Sequence, residues 1–367
     1  MAHQRLASLD AFRGLTIAGM ILVNNPGSEE HVYSPLRHAA WHGWTPADLV
    51  FPFFVFIVGV SIALAISRRR AEGEGKGDLY LKIFKRSLII FSLGIVLRIF
   101  PHVDFASLRI PGVLQRIALC YLCAAVLYVH VGAKGRVGLA GLILAGYWAV
   151  LRFVPVPGYG AGVLDFQGNL AGYIDLKLLA GHLYKPGFDP EGILSTFPAV
   201  VTAVLGTLAG DWLRSSRRDS EKTLGLLAAG AGLTGLGLAL HPFFPINKQL
   251  WTSTFVLFTA GVALLLLAAG YLLIDVLGWR KWAVPLRVFG TNAIAAYVGS
   301  ILMAKILLWI KVWSGSVKIS LFSWIYEIAV VPWAGKINGS LVFALGFVLL
   351  WLALLIPLYR KRIFIRI

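Results

Sequence analysis

The chain has 367 residues, of which 58% are hydrophobic, with a mean hydropathy of +0.77 and a formal charge of +17. No soluble domain of this size needs so much apolar surface, and apolar runs long enough to cross a bilayer recur from end to end. The charge would suggest nucleic acid in a soluble protein, but in a membrane protein its placement among the loops carries more meaning than its total.

A spanning helix needs about 20 mostly apolar residues, because lipid offers the backbone no hydrogen-bond partners. Ten segments meet this pattern: 9–25, 46–67, 81–100, 113–130, 136–153, 192–213, 223–241, 251–277, 284–310 and 338–359. The expected fold is an all-α polytopic bundle in a single transmembrane domain over 1–367. Residues 321–332 are apolar too, but the run is short and holds Glu327 and Pro332, which suits a re-entrant or interfacial piece.

The first segment carries Asp10 and Arg13 and has no small-residue cleavage site, so it is expected to stay as helix 1 rather than leave as a signal peptide. A charged side chain at mid-bilayer costs about 2.5–3.5 kcal/mol and needs a partner or a task. Asp10 and Arg13 lie three residues apart on one helical face, where they can pair with each other or line a water-accessible site between helices.

At the other end of helix 1 stand Asn24 and Asn25, followed by His31, His38 and His42 in the 26–45 loop. The histidine spacings include one i, i+4 pair, but Pro35 and Gly43 argue against a helix bearing it, and no nearby Cys or second acidic ligand completes a metal set. No metal is expected. Histidine equally suits proton transfer or nucleophilic attack, and such a base needs an orienting acceptor. Asp48, just after Pro46, is a candidate; its ordinary role there is to cap free N–H groups in the first turn of a helix. Both readings stand.

Residues 68–80 read as a charged, Gly-rich linker. In the fourth segment Cys120 and Cys123 form C-x-x-C, but redox motifs of that spacing sit at helix N-termini of soluble folds, so these are read as packing residues. Polar groups gather at outer helix ends: Gln115 and Arg116 open helix 4, Asp189 and Glu191 precede helix 6, and Asn247 and Lys248 precede helix 8. Asn292 lies inside helix 9. The segments 26–45, 154–191 and 311–337 are long, and the second is too rich in Tyr, Phe, Leu and Gly for disorder. No internal repeat of the secondary-transporter kind is visible.

Sorting the 34 Lys and Arg by loop places 21 on the inner face, nine on the outer and four in or at the edges of spans, if the N-terminus is inside. Both termini are therefore expected to be cytoplasmic.

The stretch RLASLDAFRGLTIAGMILVNN, followed by LRHAAWHGWTPADLVFPFFVFIVG, within 5–59, resembles the heparan-α-glucosaminide N-acetyltransferase family and its bacterial members. The likeness continues through RIPGVLQRI (109–117), VPGYG (156–160), AGYIDLKLL (171–179), FDPEGIL (188–194), PINKQLW (245–251), FGTNAIAAYVG (289–299) and YRKRIFIRI (359–367). The resemblance implies a membrane acyltransferase that takes acetyl-CoA from the cytosol and delivers the acetyl group to the amine of a terminal glucosamine across the membrane. The family's active-site histidine, in H-A-x-W-x-G-x-T-x-A-D, falls on His38, its asparagine, in M-x-x-V-N, on Asn24, and the motif's aspartate on Asp48. Relative to the animal enzyme, the chain is expected to lack an N-terminal lumenal domain and the span before it, to have a shorter, cysteine-free 154–191 loop, and to carry His42 where that enzyme has asparagine.

On this resemblance His38 acts as base or nucleophile, Asn24 supports the thioester oxygen, and Asp48 orients the imidazole. Asp10, Arg13, Asn25, Gln115, Arg116, Asn247, Lys248 and Asn292 are the residues expected to hold the donor along a polar axis. The partners expected are a coenzyme A thioester, an amino-sugar or glycan acceptor, membrane lipid and, as one assembly, a second copy of the chain, with no nucleic acid. The expected location is a bacterial cytoplasmic membrane. Two alternatives remain open at this level: another acyl donor or an O-linked acceptor on the same fold, and a sugar or anion transporter with Asp10, Arg13 and Asn292 along its path.

Overall fold

The computed structural model describes residues 6–101 and 104–365. About 70% of the chain is helical. The helices are α1 (Ala7–Asn24), α2 (Pro46–Ala71), α3 (Lys76–Ile99), α4 (Val113–His130), α5 (Ala133–Phe153), the short α6 (Leu170–Leu179), α7 (Ile193–Arg214), α8 (Asp219–Ala239), α9 (Ser253–Gly270, continued by a π turn over Tyr271–Val276), α10 (Val284–Thr291), α11 (Ala293–Trp309), α12 (Leu321–Trp324), α13 (Val331–Ala334) and α14 (Lys336–Arg360). Two small hairpins, β1–β2 (Pro155–Val156 with Gly160–Ala161) and β3–β4 (Lys311–Ser314 with Val317–Ser320), sit in connecting segments.

Seven of these helices are long and apolar enough to cross a membrane: α2, α4, α5, α7, α8, α9 with its π turn, and α14. The pair α10 and α11 would add an eighth, although it is bent by 82° at Asn292. The remaining two expected segments are helical but carry more charge. Asp10 and Arg13 lie in α1, and Lys76, Asp78, Lys82, Lys85, Arg86 and Arg98 lie in α3. Leu321–Ala334 is a shorter apolar helical run, as its length in the sequence implies.

Helix α2 is central, with 72% of its apolar window buried inside the protein, against 22% for α8 and α14. It crosses α7 at van der Waals range because glycine leaves room for the backbones: a Cβ on Gly59 would run into the Ala203 carbonyl, and one on Gly206 into the Phe56 carbonyl. Gly14 and Gly290 do the same for α1 against α10.

Cross-connections sort the loops to two ends. At one end Gly43 N donates to Ile246 O (2.8 Å), Gly27 N to Ser340 O (3.3 Å), and Arg109 grips Asp189. At the other, Arg70 donates to Val129 O (2.7 Å), Tyr271 to Asp219 (2.6 Å), and Ala7 N to Asp275 (3.0 Å). The first group of segments lies at the N-terminal end of α2 and includes the histidine loop.

Candidate active site

The site begins with the start of α2. Pro46 occupies the first helical turn, Thr45 is the N-cap, and Asp48 at the third position closes a capping box, its Oδ2 accepting from Thr45 N at 3.0 Å. The same Oδ2 accepts from Ala39 N at 3.0 Å. The other oxygen, Oδ1, lies 2.8 Å from His38 Nδ1. One carboxylate therefore both caps the helix and contacts the imidazole.

Asp48 is 1% exposed and His38 46% exposed at the side chain, so the orienting group is buried and the ring presents itself outward. A carboxylate already held by two backbone N–H groups is an acceptor only, so the Nδ1 proton points to it and the lone pair is left on Nε2. That is the tautomer a base or nucleophile requires.

Lys248 completes the cluster. Its Nζ lies 3.2 Å from Asp48 Oδ1, 3.0 Å from His38 Nδ1 and 3.4 Å from His38 Nε2. With Nδ1 already donating to Asp48, the acceptor open to this ammonium is the Asp48 carboxylate. Burial lowers the Lys248 pKa, and Asp48 opposes the shift. The lysine is fixed by a tight turn in the 240–252 segment: Asn247, fully buried, accepts from Leu250 N (2.8 Å), and Trp251 N donates to Lys248 O (3.1 Å). The histidine loop is fastened to the same turn by Asn247 Nδ2 beside His42 Nδ1 (3.3 Å). Trp41 Nε1 donates to Leu164 O (2.7 Å) and packs its ring edgewise on Phe166 and Phe188.

The three histidines do not converge. His31 faces Ser28, His38 faces Asp48, and His42, its pKa lowered by burial with Asp165 opposing, faces Asn247. Among the described residues no group of three or more His, Cys, Asp or Glu side chains is arranged to hold a metal ion.

Asn24 is the exposed last residue of α1, at the same end as His38, and Asn25 behind it is buried with Nδ2 on Ile21 O (2.7 Å). Beneath this end lie Gln115, packed against Gly94 and Gly112, and Arg116, 1% exposed. The Arg116 guanidinium donates to Ser195 Oγ (2.5 Å) and Gly192 O (3.2 Å) and lies over the Trp251 ring. Arg116 thus packs on the turn that carries Lys248.

Asp10, Arg13 and Asn292 lie elsewhere. Arg13 donates to Asp10 (3.1 Å), Ser61 Oγ (2.7 Å) and Gly290 O (3.4 Å), tying α1 to α2 and α10. Asn292 is fully buried, its amide donating to Ile363 O (3.2 Å) and its oxygen accepting from Ile365 N (2.8 Å). From Asp10 to Asn24 is 14 residues of α1, about 21 Å of helix. The sequence placed Lys248 with the donor-holding residues; its contact with His38 spans 210 positions, and no local pattern announces it.

A sequence model described as heparan-alpha-glucosaminide N-acetyltransferase, catalytic, matches residues 5–239 of the chain. Heparan-alpha-glucosaminide N-acetyltransferase of Homo sapiens is 33% identical to it over 353 residues, covering 80% of this chain and 52% of that protein. The protein of the same name from Mus musculus is 31% identical over 353 residues, covering 80% and 53%. The chain spans about half the length of the curated relatives it matches.

Proposed function

The chain belongs to the heparan-alpha-glucosaminide N-acetyltransferase catalytic family, and from that premise we propose that it moves an acetyl group from cytosolic acetyl-CoA to an amino sugar or related glycan on the far side of a membrane. In this reading the bundle has ten spans, both termini are cytoplasmic, the membrane is the bacterial cytoplasmic membrane, and the end bearing His38 faces outward. The observation that carries the proposal is the His38–Asp48 contact of 2.8 Å, which assigns the proton to Nδ1 and the lone pair to Nε2 of a half-exposed side chain.

Two routes use that lone pair. In one, Nε2 takes the proton of the acceptor ammonium, the freed amine attacks the thioester carbon, and the C–S bond breaks as the nitrogen's surplus proton passes to the departing sulfur, giving the amide and the CoA thiol. In the other, Nε2 itself attacks, the thiolate leaves, and the acetyl-imidazole is then cleaved by the acceptor amine, which gives up its proton. Asp48 holds the ring in either case. Asn24 supplies a hydrogen bond to the carbonyl oxygen as charge develops, a contribution worth about 2.7–4 kcal/mol in other enzymes. Lys248 supplies positive charge beside the reacting centre for the oxyanion or the departing thiolate, with Asn25, Gln115, Arg116 and Asn247 shaping the pocket around it. Asp10, Arg13 and Asn292 lie toward the donor's side.

The test is incubation of the purified protein with radiolabelled acetyl-CoA and glucosamine. Labelled N-acetylglucosamine from the wild type and none above background from His38→Ala supports the reading. Equal transfer by both removes His38 from it.

A further inference from the structure

A cavity of about 400 Å³ opens at the end of the bundle opposite His38. It is lined by Ser67, Arg70, Tyr128, His130, Arg136 and Arg214, from the ends of α2, α4, α5 and α7. Ser67 and Asp48 are 19 residues apart on α2, about 28 Å of helix, so this cavity is separate from the histidine site.

Its charge is unbalanced. Arg70 donates to Val129 O (2.7 Å) and Arg214 to Ser67 Oγ (2.5 Å), both neutral acceptors. Asp211 is the carboxylate that the cluster shares: Arg136 Nη2 reaches it at 2.5 Å, Tyr128 OH at 2.6 Å, and Arg214 Nη1 at 3.8 Å. The cavity therefore carries three guanidinium groups and one carboxylate, which Arg136 and Arg214 approach. For Arg70 and Arg214 the position has an ordinary explanation, since a cation in the last turn of a helix complements the dipole. Arg136 has the reverse placement. It stands in the first turn of α5, where the dipole disfavours a cation, it is 3% exposed, and it is pinned by Val131 O (3.2 Å), Thr207 Oγ1 (2.5 Å) and the Tyr128 ring face. These contacts tie α5 to α4 and α7 and fix a buried guanidinium as the floor of the cavity.

We propose that this cavity binds a phosphate group, held by the forks of Arg70 and Arg214 over the base that Arg136 provides. Guanidinium forks match phosphate oxygens two at a time, and the volume lies within the range of small-molecule sites. The phosphate belongs either to a soluble nucleotide or to an anionic lipid headgroup. If it is a nucleotide, the acetyl-CoA reading above names it as the donor's own, and that arm rests on that reading.

The experiment uses the full chain, purified in detergent, with coenzyme A and inorganic pyrophosphate as calorimetric probes and with bound phosphatidylglycerol counted by native mass spectrometry. The double variant Arg70→Gln, Arg214→Gln is expected to weaken coenzyme A and pyrophosphate by about tenfold or more, or, if the ligand is lipid, to lose the bound phosphatidylglycerol. Arg68→Gln, an exposed arginine at the same helix end paired with Glu72, is expected to change neither. Arg214→Lys keeps the charge without the fork and is expected to fall between, which covers the case of a double variant that does not fold. Unchanged binding of all three probes in the double variant and in Arg214→Lys overturns the proposal, as does an equal loss in Arg68→Gln. Pyrophosphate binding needs no acyl transfer. A protein that binds it through these arginines but acetylates nothing keeps the cavity and loses the transferase reading.

Discussion

Asp48 Oδ1 stands 2.8 Å from His38 Nδ1 while Oδ2 of the same carboxylate accepts the Thr45 and Ala39 N–H groups. The strength of the helix cap and the direction of the imidazole are thus set by one side chain. Asp48→Asn retains an oxygen for the cap but removes the charge that holds the ring, so kcat is expected to fall about 10²-fold or more. The cap itself is expected to lose about 1 kcal/mol. Steady-state kinetics beside thermal unfolding separates the two, and a variant with unchanged kcat refutes the orienting role.

Lys248 is a cation that burial disfavours, so its pKa lies below the ordinary 10.5 and Asp48 only partly restores it. A lysine with a lowered folded-state pKa binds fewer protons when folded, so stability rises as pH climbs from that lowered value toward 10.5. Thermal unfolding across this alkaline window is expected to show the rise in wild type and to lack it in Lys248→Met. The same variant is expected to slow acyl transfer while leaving the His38–Asp48 contact in place.

Asp175, fully buried at the His38 end of the bundle with Oδ1 accepting from Ile193 N (2.8 Å), is pushed up to about 6 by burial, against the hydrogen bond that lowers it. The folded protein therefore holds this proton more tightly than the unfolded chain. The protonated form is the stabilising one, and that contribution is lost as pH rises from about 4 to 6, by up to about 3 kcal/mol. Asp175→Asn keeps the acceptor without the charge. It is expected to be more stable than wild type at pH 7 and to approach it near pH 4, as read by thermal unfolding at the two values.

Gly59 and Gly206 let α2 and α7 touch backbone to backbone. Gly59→Ala places a methyl group against the Ala203 carbonyl, and the displacement is expected to cost about 1–3 kcal/mol. Gly232, whose added Cβ would meet nothing within 4 Å, serves as the control, and Gly232→Ala is expected to leave the unfolding midpoint near that of the wild type.

Much of the fold was readable because each long apolar run other than 284–310 became one helix. The break at Asn292 was not, since a single asparagine inside an apolar run leaves the hydropathy pattern continuous; its amide is spent on the Ile363–Ile365 backbone, a contact set by tertiary structure. Asp10 and Arg13 were readable as a pair from their spacing, but the reach of Arg13 to Ser61 and Gly290 was not. In the site, Asp48 was legible because the helix cap and the histidine lie within ten residues of each other. Lys248 beside His38, and Arg109 on Asp189 across 80 positions, join loops that only the packed bundle brings together.

Transfer across the membrane by His38 is tested most directly in sealed proteoliposomes, with labelled acetyl-CoA confined to the compartment facing the Arg70–Arg214 end and glucosamine confined to the other. Labelled N-acetylglucosamine is expected to accumulate on the glucosamine side with the wild type and to be absent with His38→Ala. Product formed equally by His38→Ala, or formed only when donor and acceptor share one side, would contradict it.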